Sequence, residues 1–253
     1  MNNRFDKCSF YQEPEPDRNG FRGAIKDVRN FSKHLKFAHP VKNLINLELH
    51  DFQKGLLKRL QNRRFNIVKY GRQSGVSTLL AVYALWSALY HPEKTVYLFS
   101  GSMESAARLL AVVKQFYDSL ELIKPKITHN MKNEIQFETR SRIIISTYDR
   151  SHYDLCGVSM DLMLCDLFGG VSDKVANEFR DNSFYRLNKD GGIVITTLQV
   201  PNNALTKQIY EGKYREKFNR FNIYGSQINR STQSEKEAIE QMGWEKFKEE
   251  FNY

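Results

Sequence analysis

Hydrophobic and polar positions change period several times along the chain, and each change marks an element. From Ala24 to Ala38 apolar residues recur at helical spacing, and His39-Pro40 ends the run because a residue before proline is pushed out of the α region. Leu49 to Asn62 predicts a second helix, with Phe52, Leu56, Leu57 and Leu60 on one face and Lys54, Lys58 and Arg59 elsewhere. Beyond Phe65 strands and helices alternate: the strand FNIVKY, the loop GRQSGVS, the apolar helix TLLAVYALWSALY, the strand KTVYLFS and the helix SMESAARLLAVVKQFYDSL, which Ser102 can cap. EIQFET and RIIISTY, separated by Arg140-Ser141, predict a hairpin. MDLMLCDL and GGIVITT are apolar strands that each precede a loop and a helical segment, and Ser231 to Tyr253 reads as helix. Strands joined by helical crossovers imply an α/β fold, a mostly parallel sheet with helices on both faces.

Composition adds a packed core. Of the 253 residues, 41% are hydrophobic and 13% aromatic, enough apolar surface to offset the entropy of ordering a sizeable domain. The Pro/Glu/Gly-rich stretch QEPEPDRNGFRG disfavours regular structure, so residues 1–30 are expected to be a mobile or loosely packed arm and 31–253 the domain. Cys8, Cys156 and Cys165 suit neither a disulfide framework nor a zinc site, and the histidines are scattered. No run approaches the roughly 18 to 20 apolar residues that span a bilayer, and MNNRFDKCSFYQ has no apolar leader segment, so a cytosolic protein without membrane contact is expected.

The formal charge of +9 is uneven. Residues 1–70 hold fifteen Lys/Arg against seven Asp/Glu, whereas the rest is nearly balanced at 23 against 22. A clustered surplus attracts polyphosphates or a nucleic-acid backbone, and also keeps a surface soluble.

The densest chemistry lies in IVKYGRQSGVSTLLAVY, where an apolar strand enters a Gly/Ser-rich loop and then a helix that opens with hydroxyls. Free backbone amides and the positive end of a helix dipole then share one concavity, which suits phosphate. Against G-x-x-x-x-G-K-[ST], Tyr70 stands at the first glycine, Gly75 at the second, Val76 at the lysine and Ser77 at the last position. As a bare loop it also suits an ordinary βα turn. Ser77 or Thr78 stands where a P-loop places its magnesium-binding hydroxyl. The missing lysine normally neutralises β- and γ-phosphates, and Arg72 or Lys69 can supply that charge, Arg72 with a bidentate fork. LMLCD ends a buried strand on Asp166, either a magnesium ligand or a helix cap, and Leu167 follows where a catalytic glutamate commonly stands. IVITT brings Thr196 and Thr197 to another strand end; hydroxyls there can sense a γ-phosphate, and threonine also simply favours strands.

With these pieces in order, the chain resembles the ATPase domain of the terminase large subunit, the DNA-packaging motor of tailed bacteriophages, in its large contractile-tailed form. Four stretches carry the resemblance: FSKHLKFAHPVKNLINLELHDFQKGLLKRL, with an HP dipeptide ahead of Phe52-Gln53; KYGRQSGVSTLLAVYALW; TVYLFSGSMESAARLLAVVKQF; and CGVSMDLMLCDL followed by IVITT. The resemblance implies a P-loop NTPase fold of the additional-strand type, with the Thr196-Thr197 strand between those of the P-loop and Asp166. It implies ATP and Mg2+ as cofactors: adenine recognised by Phe52 and Gln53, phosphates by Lys69, Arg72, Gln73, Ser74, Gly75, Val76, Ser77 and Thr78, metal by Ser77 and Asp166. Arg72, Asp166, Thr196 and Thr197 would carry turnover and coupling.

The implied function is ATP-driven translocation of double-stranded DNA into a procapsid, in a homo-oligomeric ring on the portal protein, with the small terminase subunit as partner, in the cytoplasm of the host cell. Val76 and Leu167 keep open a catalytically degenerate relative with a structural or regulatory role in packaging. A helicase-like nucleic-acid translocase is a third reading. The family's large subunit continues into a nuclease domain, whereas this chain ends at FKEEFNY, about where that domain begins. The nuclease is therefore expected as a separate chain, removed, or never present.

Overall fold

A computed structural model describes residues 27–39, 43–122, 124–198, 200–224, 236 and 239–251. Eight strands form one sheet. They are β3 (Phe65–Tyr70), β4 (Thr95–Ser100), β5 (Ile127–Asn130), β6 (Glu134–Phe137), β7 (Arg142–Thr147), β8 (Met160–Cys165), β9 (Leu187–Leu198) and β10 (Asn219–Ile223), in the spatial order β10-β3-β9-β8-β4-β7-β6-β5. The six strands from β10 to β7 are parallel, and β6 and β5 extend the sheet antiparallel. The 134–148 hairpin forms as expected, Glu134 opposite Ile144, with Arg140 in the left-handed region at its turn. β9 lies between β3 and β8, the additional-strand arrangement, with Val68 beside Thr196 and Leu164 beside Val194.

Because successive strand residues face opposite sides, the near-continuous apolar strands feed two cores. Val68, Tyr70, Val96, Leu98, Leu162, Leu164 and Val194 belong to one. Ile67, Tyr97, Phe99, Met163, Cys165, Ile193 and Ile195 belong to the other. The first core is covered by three helices, α2 (Asp51–Asn62), α3 (Val76–Tyr90) and α4 (Met103–Ser119). Nearly every residue of α3 is buried, which is why its sequence is apolar all round. The Tyr83 hydroxyl donates to the Leu60 carbonyl at 2.9 Å and ties α3 to α2. Ser102 caps α4 as expected, its hydroxyl accepting from the Ser105 amide at 3.2 Å. The second core includes residues of α6 (Asp173–Ser183) and α7 (Ala204–Tyr210); the short α5 (Ser151–Asp154) precedes β8.

The first segment departs from expectation. The helix over 24–38 is only α1 (Val28–Ser32), followed by a hairpin of β1 (Lys36–His39) and β2 (Asn43–Asn46). Helical spacing places apolar residues where a strand can also use them, and tertiary contacts decide. The Lys36 amide donates to the Ser119 hydroxyl at 3.1 Å, and Phe37 packs on Phe116 with ring centroids 5.0 Å apart. Val28 and Phe31 are fully buried in the main core. The arm over 1–30 lies outside the described residues up to residue 26. At the other end, Gly243 (φ +82°) interrupts the helix expected from Ser231 to Tyr253, separating helical residues 239–242 from α8 (Trp244–Phe251); 231–235, 237, 238, 252 and 253 are outside the described residues. β9 begins at Leu187, four residues before GGIVITT, because its start pairs with Met160.

Candidate active site

The loop between β3 and α3 is built for close approach. Gln73 and Gly75 both have positive φ, 62° and 73°, and Gly75 forms the N-cap of α3. Left-handed residues in a tight loop turn successive amides toward one concavity, and the first amides of α3 add to it. Gly75 is constrained twice: its φ suits glycine, and a Cβ there would lie 2.8 Å from Nε2 of Gln53. Arg72 and Gln73 are exposed on the loop, whereas Ser74 is buried. Val76, at the lysine position, is 1% exposed and belongs to the core, so no side chain reaches the concavity from there.

Three strand ends meet at the start of α3. The Ser77 hydroxyl donates to Oδ1 of Asp166 at 2.9 Å, across 89 residues of sequence. The Thr196 hydroxyl lies 3.4 Å from the same oxygen and 3.2 Å from the Cys165 carbonyl, and it accepts from the Leu167 amide at 2.9 Å. The backbone of Asp166 is pinned as well: its amide donates to the Phe99 carbonyl at 2.8 Å, and its carbonyl accepts from the Tyr148 hydroxyl at 2.7 Å. Asp166 is 5% exposed. Burial lifts its pKa above the usual carboxylate value, and the hydroxyls of Ser77 and Thr196 partly counter that lift.

A family model described as "Terminase large subunit, ATPase domain" matches residues 48–216, two thirds of the chain, including the 70–78 loop, Asp166 and the Thr196 strand. The chain belongs to the terminase large subunit ATPase-domain family. Solved terminases share its fold at low identity. The large terminase of bacteriophage HK97 is 14% identical with a TM-score of 0.67, over 90% of this chain and 54% of that one. The large terminase ATPase domain of Thermus phage P74-26 is 12% identical with a TM-score of 0.58, over 81% of this chain and 93% of that one. The large terminase of the thermophilic bacteriophage D6E, in complex with ATP-gamma-S, is 8% identical with a TM-score of 0.62, over 81% of this chain and 52% of that one. The chain thus spans about half the length of the HK97 and D6E large terminases.

In this terminase domain the remaining site residues divide. Thr197 points to the opposite face from Thr196, against Gly169, whose missing Cβ would stand 1.8 Å from Oγ1 of Thr197. Lys69, opposite Thr197 in register, places Nζ 4.9 Å from the centre of the Tyr210 ring of α7. Thr78 is half-buried in the first turn of α3. Phe52 lines a groove of about 240 Å³ between α2 and β10, with Leu56, Arg59, Phe221 and Ile223. Both ends of the Gln53 amide are engaged: Oε1 accepts from the His50 amide at 2.9 Å, and Nε2 donates to the Ser74 carbonyl at 3.0 Å.

Leu167 has φ +56°, an uncommon conformation for a branched residue, and is 39% exposed beside a cavity of about 470 Å³. Asp149 is the one carboxylate among the described residues lining that cavity. Sequence reasoning missed Tyr148, Gly169 and Asn203. Asn203 is fully buried; its amide donates to the carbonyls of Phe168 (2.8 Å) and Val171 (3.2 Å) and accepts from the Thr206 amide (2.8 Å), locking the turn after Asp166 to the segment after β9. The signal was available in part, since asparagine before an apolar helical run is an N-cap pattern.

The donor set suits a P-loop magnesium site. One carboxylate and one hydroxyl offer hard oxygens, and a triphosphate and waters would have to supply the remainder. No cluster of three or more His, Cys, Asp or Glu among the described residues could hold a metal alone.

Proposed function

We propose that this domain binds ATP·Mg2+ and is the ATPase of a packaging motor that drives double-stranded DNA into a procapsid. The observation that carries this is the convergence of Ser77, Asp166 and Thr196 at the start of α3, with β9 between the P-loop and acidic strands. Ser77 and Asp166 would hold the metal, the 72–78 amides and Arg72 the phosphates, and the Phe52 groove the base side. A magnesium ion held by Ser77 and Asp166 would supply positive charge against the charge that grows during phosphoryl transfer. Burial makes the ionised form of Asp166 costly, and a divalent cation would offset that cost.

Leu167 favours a second reading, a degenerate terminase that keeps nucleotide and partner contacts without efficient turnover. Loss of a general base costs roughly 10² to 10⁴ in rate. In the motor reading, partners are double-stranded DNA, the portal protein, the small subunit, neighbouring copies in a ring, and a nuclease on another chain or segment, in the host cytoplasm. Among the described residues no helix is long and apolar enough to cross a membrane.

The test is magnesium-dependent ATP hydrolysis with and without DNA and packaging partners. Turnover that Asp166→Asn abolishes supports the motor. If the protein has none and Leu167→Glu restores none, the motor reading fails; nucleotide-induced stabilisation would then leave the degenerate reading standing.

A further inference from the structure

Tyr70, at the first-glycine position of the P-loop pattern, has a place in the site that its sequence position does not announce. It is the last residue of β3, on the same face as Val68, the face covered by α3. Its neighbour in register is Leu198, two residues beyond Thr196 on β9. A diagonal neighbour on one face is within reach of an aromatic side chain. Register and face accordingly bring the phenol near the hydroxyls of Ser77 and Thr196, the Asp166 carboxylate and Arg72. Only 5% of Tyr70 is exposed, so ring packing fixes the direction of the hydroxyl.

A lysine at position 76 would bring an ammonium to the terminal phosphates, but Val76 is turned into the core. Tyr70 brings a donor to the metal-binding corner from the opposite end of the same loop.

We propose that the Tyr70 hydroxyl is a ligand of the terminal phosphate of a bound nucleoside triphosphate, supplying the directed hydrogen bond that Val76 cannot, while Arg72 supplies charge. The proposal rests on the nucleotide-binding reading above. A neutral donor in this corner adds no positive charge near Arg72 and fits beside hydroxyls that already serve Asp166. It also makes the site respond to the γ-phosphate, the group a diphosphate lacks.

The experiment compares magnesium complexes of ATPγS and ADP binding to the full chain and to Tyr70→Phe, by titration calorimetry. The ring remains, so packing is kept and ADP binding reports an intact loop. The expected result is ATPγS affinity lower by about 10- to 100-fold, as for losing a hydrogen bond to a charged group, with ADP changed by less than about twofold. Equal losses for both nucleotides, or none for either, overturn the proposal and make Tyr70 a packing residue. If the wild-type chain binds neither nucleotide, the nucleotide-binding reading itself fails, an outcome distinct from a wild-type chain that binds both.

Discussion

Gln53 allows its role in reading the base to be separated from a role in holding the phosphate loop. Its amide bridges the His50 amide (2.9 Å) and the Ser74 carbonyl (3.0 Å), and Gly75 packs close to Nε2. Gln53→Ala removes both hydrogen bonds. His50 is exposed and its amide can turn to water, but Ser74 is buried, so its carbonyl is left unpaired. Two neutral hydrogen bonds at about 1 kcal/mol each, plus about 1 kcal/mol for the orphaned carbonyl, give a loss of about 3 kcal/mol. For a domain of this size that corresponds to about 6 to 12 °C in Tm. Gln53→Glu should be at least as damaging, since a carboxylate can accept from His50 but cannot donate to Ser74. The functional assay is competition by inorganic tripolyphosphate, which has phosphates and no base. If Gln53 braces the loop, Gln53→Ala weakens tripolyphosphate and ATP by the same factor and leaves the preference for ATP over GTP intact. Unchanged tripolyphosphate affinity with a collapse of the ATP preference would refute the brace and make Gln53 a base reader.

Gly169→Ala should lower Tm by several degrees or more, because its Cβ would meet Thr197 Oγ1 at 1.8 Å and Cβ at 2.7 Å; adding Thr197→Ala should recover part of the loss, which a double-mutant cycle in thermal denaturation measures. Asp166→Asn should stabilise the nucleotide-free protein at neutral pH. The folded-state pKa of Asp166 is raised, so the penalty of its charge is absent in acid and appears as pH rises through that pKa; the Tm advantage of the variant should shrink as pH falls toward the ordinary carboxylate range. Arg72→Ala should abolish nucleotide binding or turnover while Lys69→Ala does less, since Lys69 lies over Tyr210 on the opposite face from α3; the reverse order in a nucleotide titration would move the phosphate-binding cation to Lys69.

Two cations of the basic stretch before β3 also have a structural role. Arg64 is turned inward, Nε donating to the Gly191 carbonyl at 2.9 Å and its guanidinium also reaching the Lys189 carbonyl, and Arg59 lies over the Phe221 ring at 5.1 Å. These two cations hold α2 and the start of β3 to β9 and β10, a role that net charge alone does not reveal. Similarly, β10 was invisible in NRFNI, whose weak alternation becomes a strand only because the free edge of β3 accepts it.

The local pattern by itself determined most of the strand and helix order from Phe65 to Thr197, though not the edge strand β5 or the short α5, because period and turn chemistry are properties of neighbours in sequence. It also showed that Val76 and Leu167 replace two residues on which P-loop chemistry depends. The local pattern could not place β9 between β3 and β8, a position implied only by the resemblance and shown by the tertiary structure, which joins Ser77 to Asp166 across 89 residues, because strand order depends on which edges pair. Tertiary structure also decided which of two adjacent threonines faces the site. Alternation in a strand requires Thr196 and Thr197 to diverge, but the packing of α3 on one face and Gly169 on the other assigns Thr196 to the carboxylate and Thr197 to the turn.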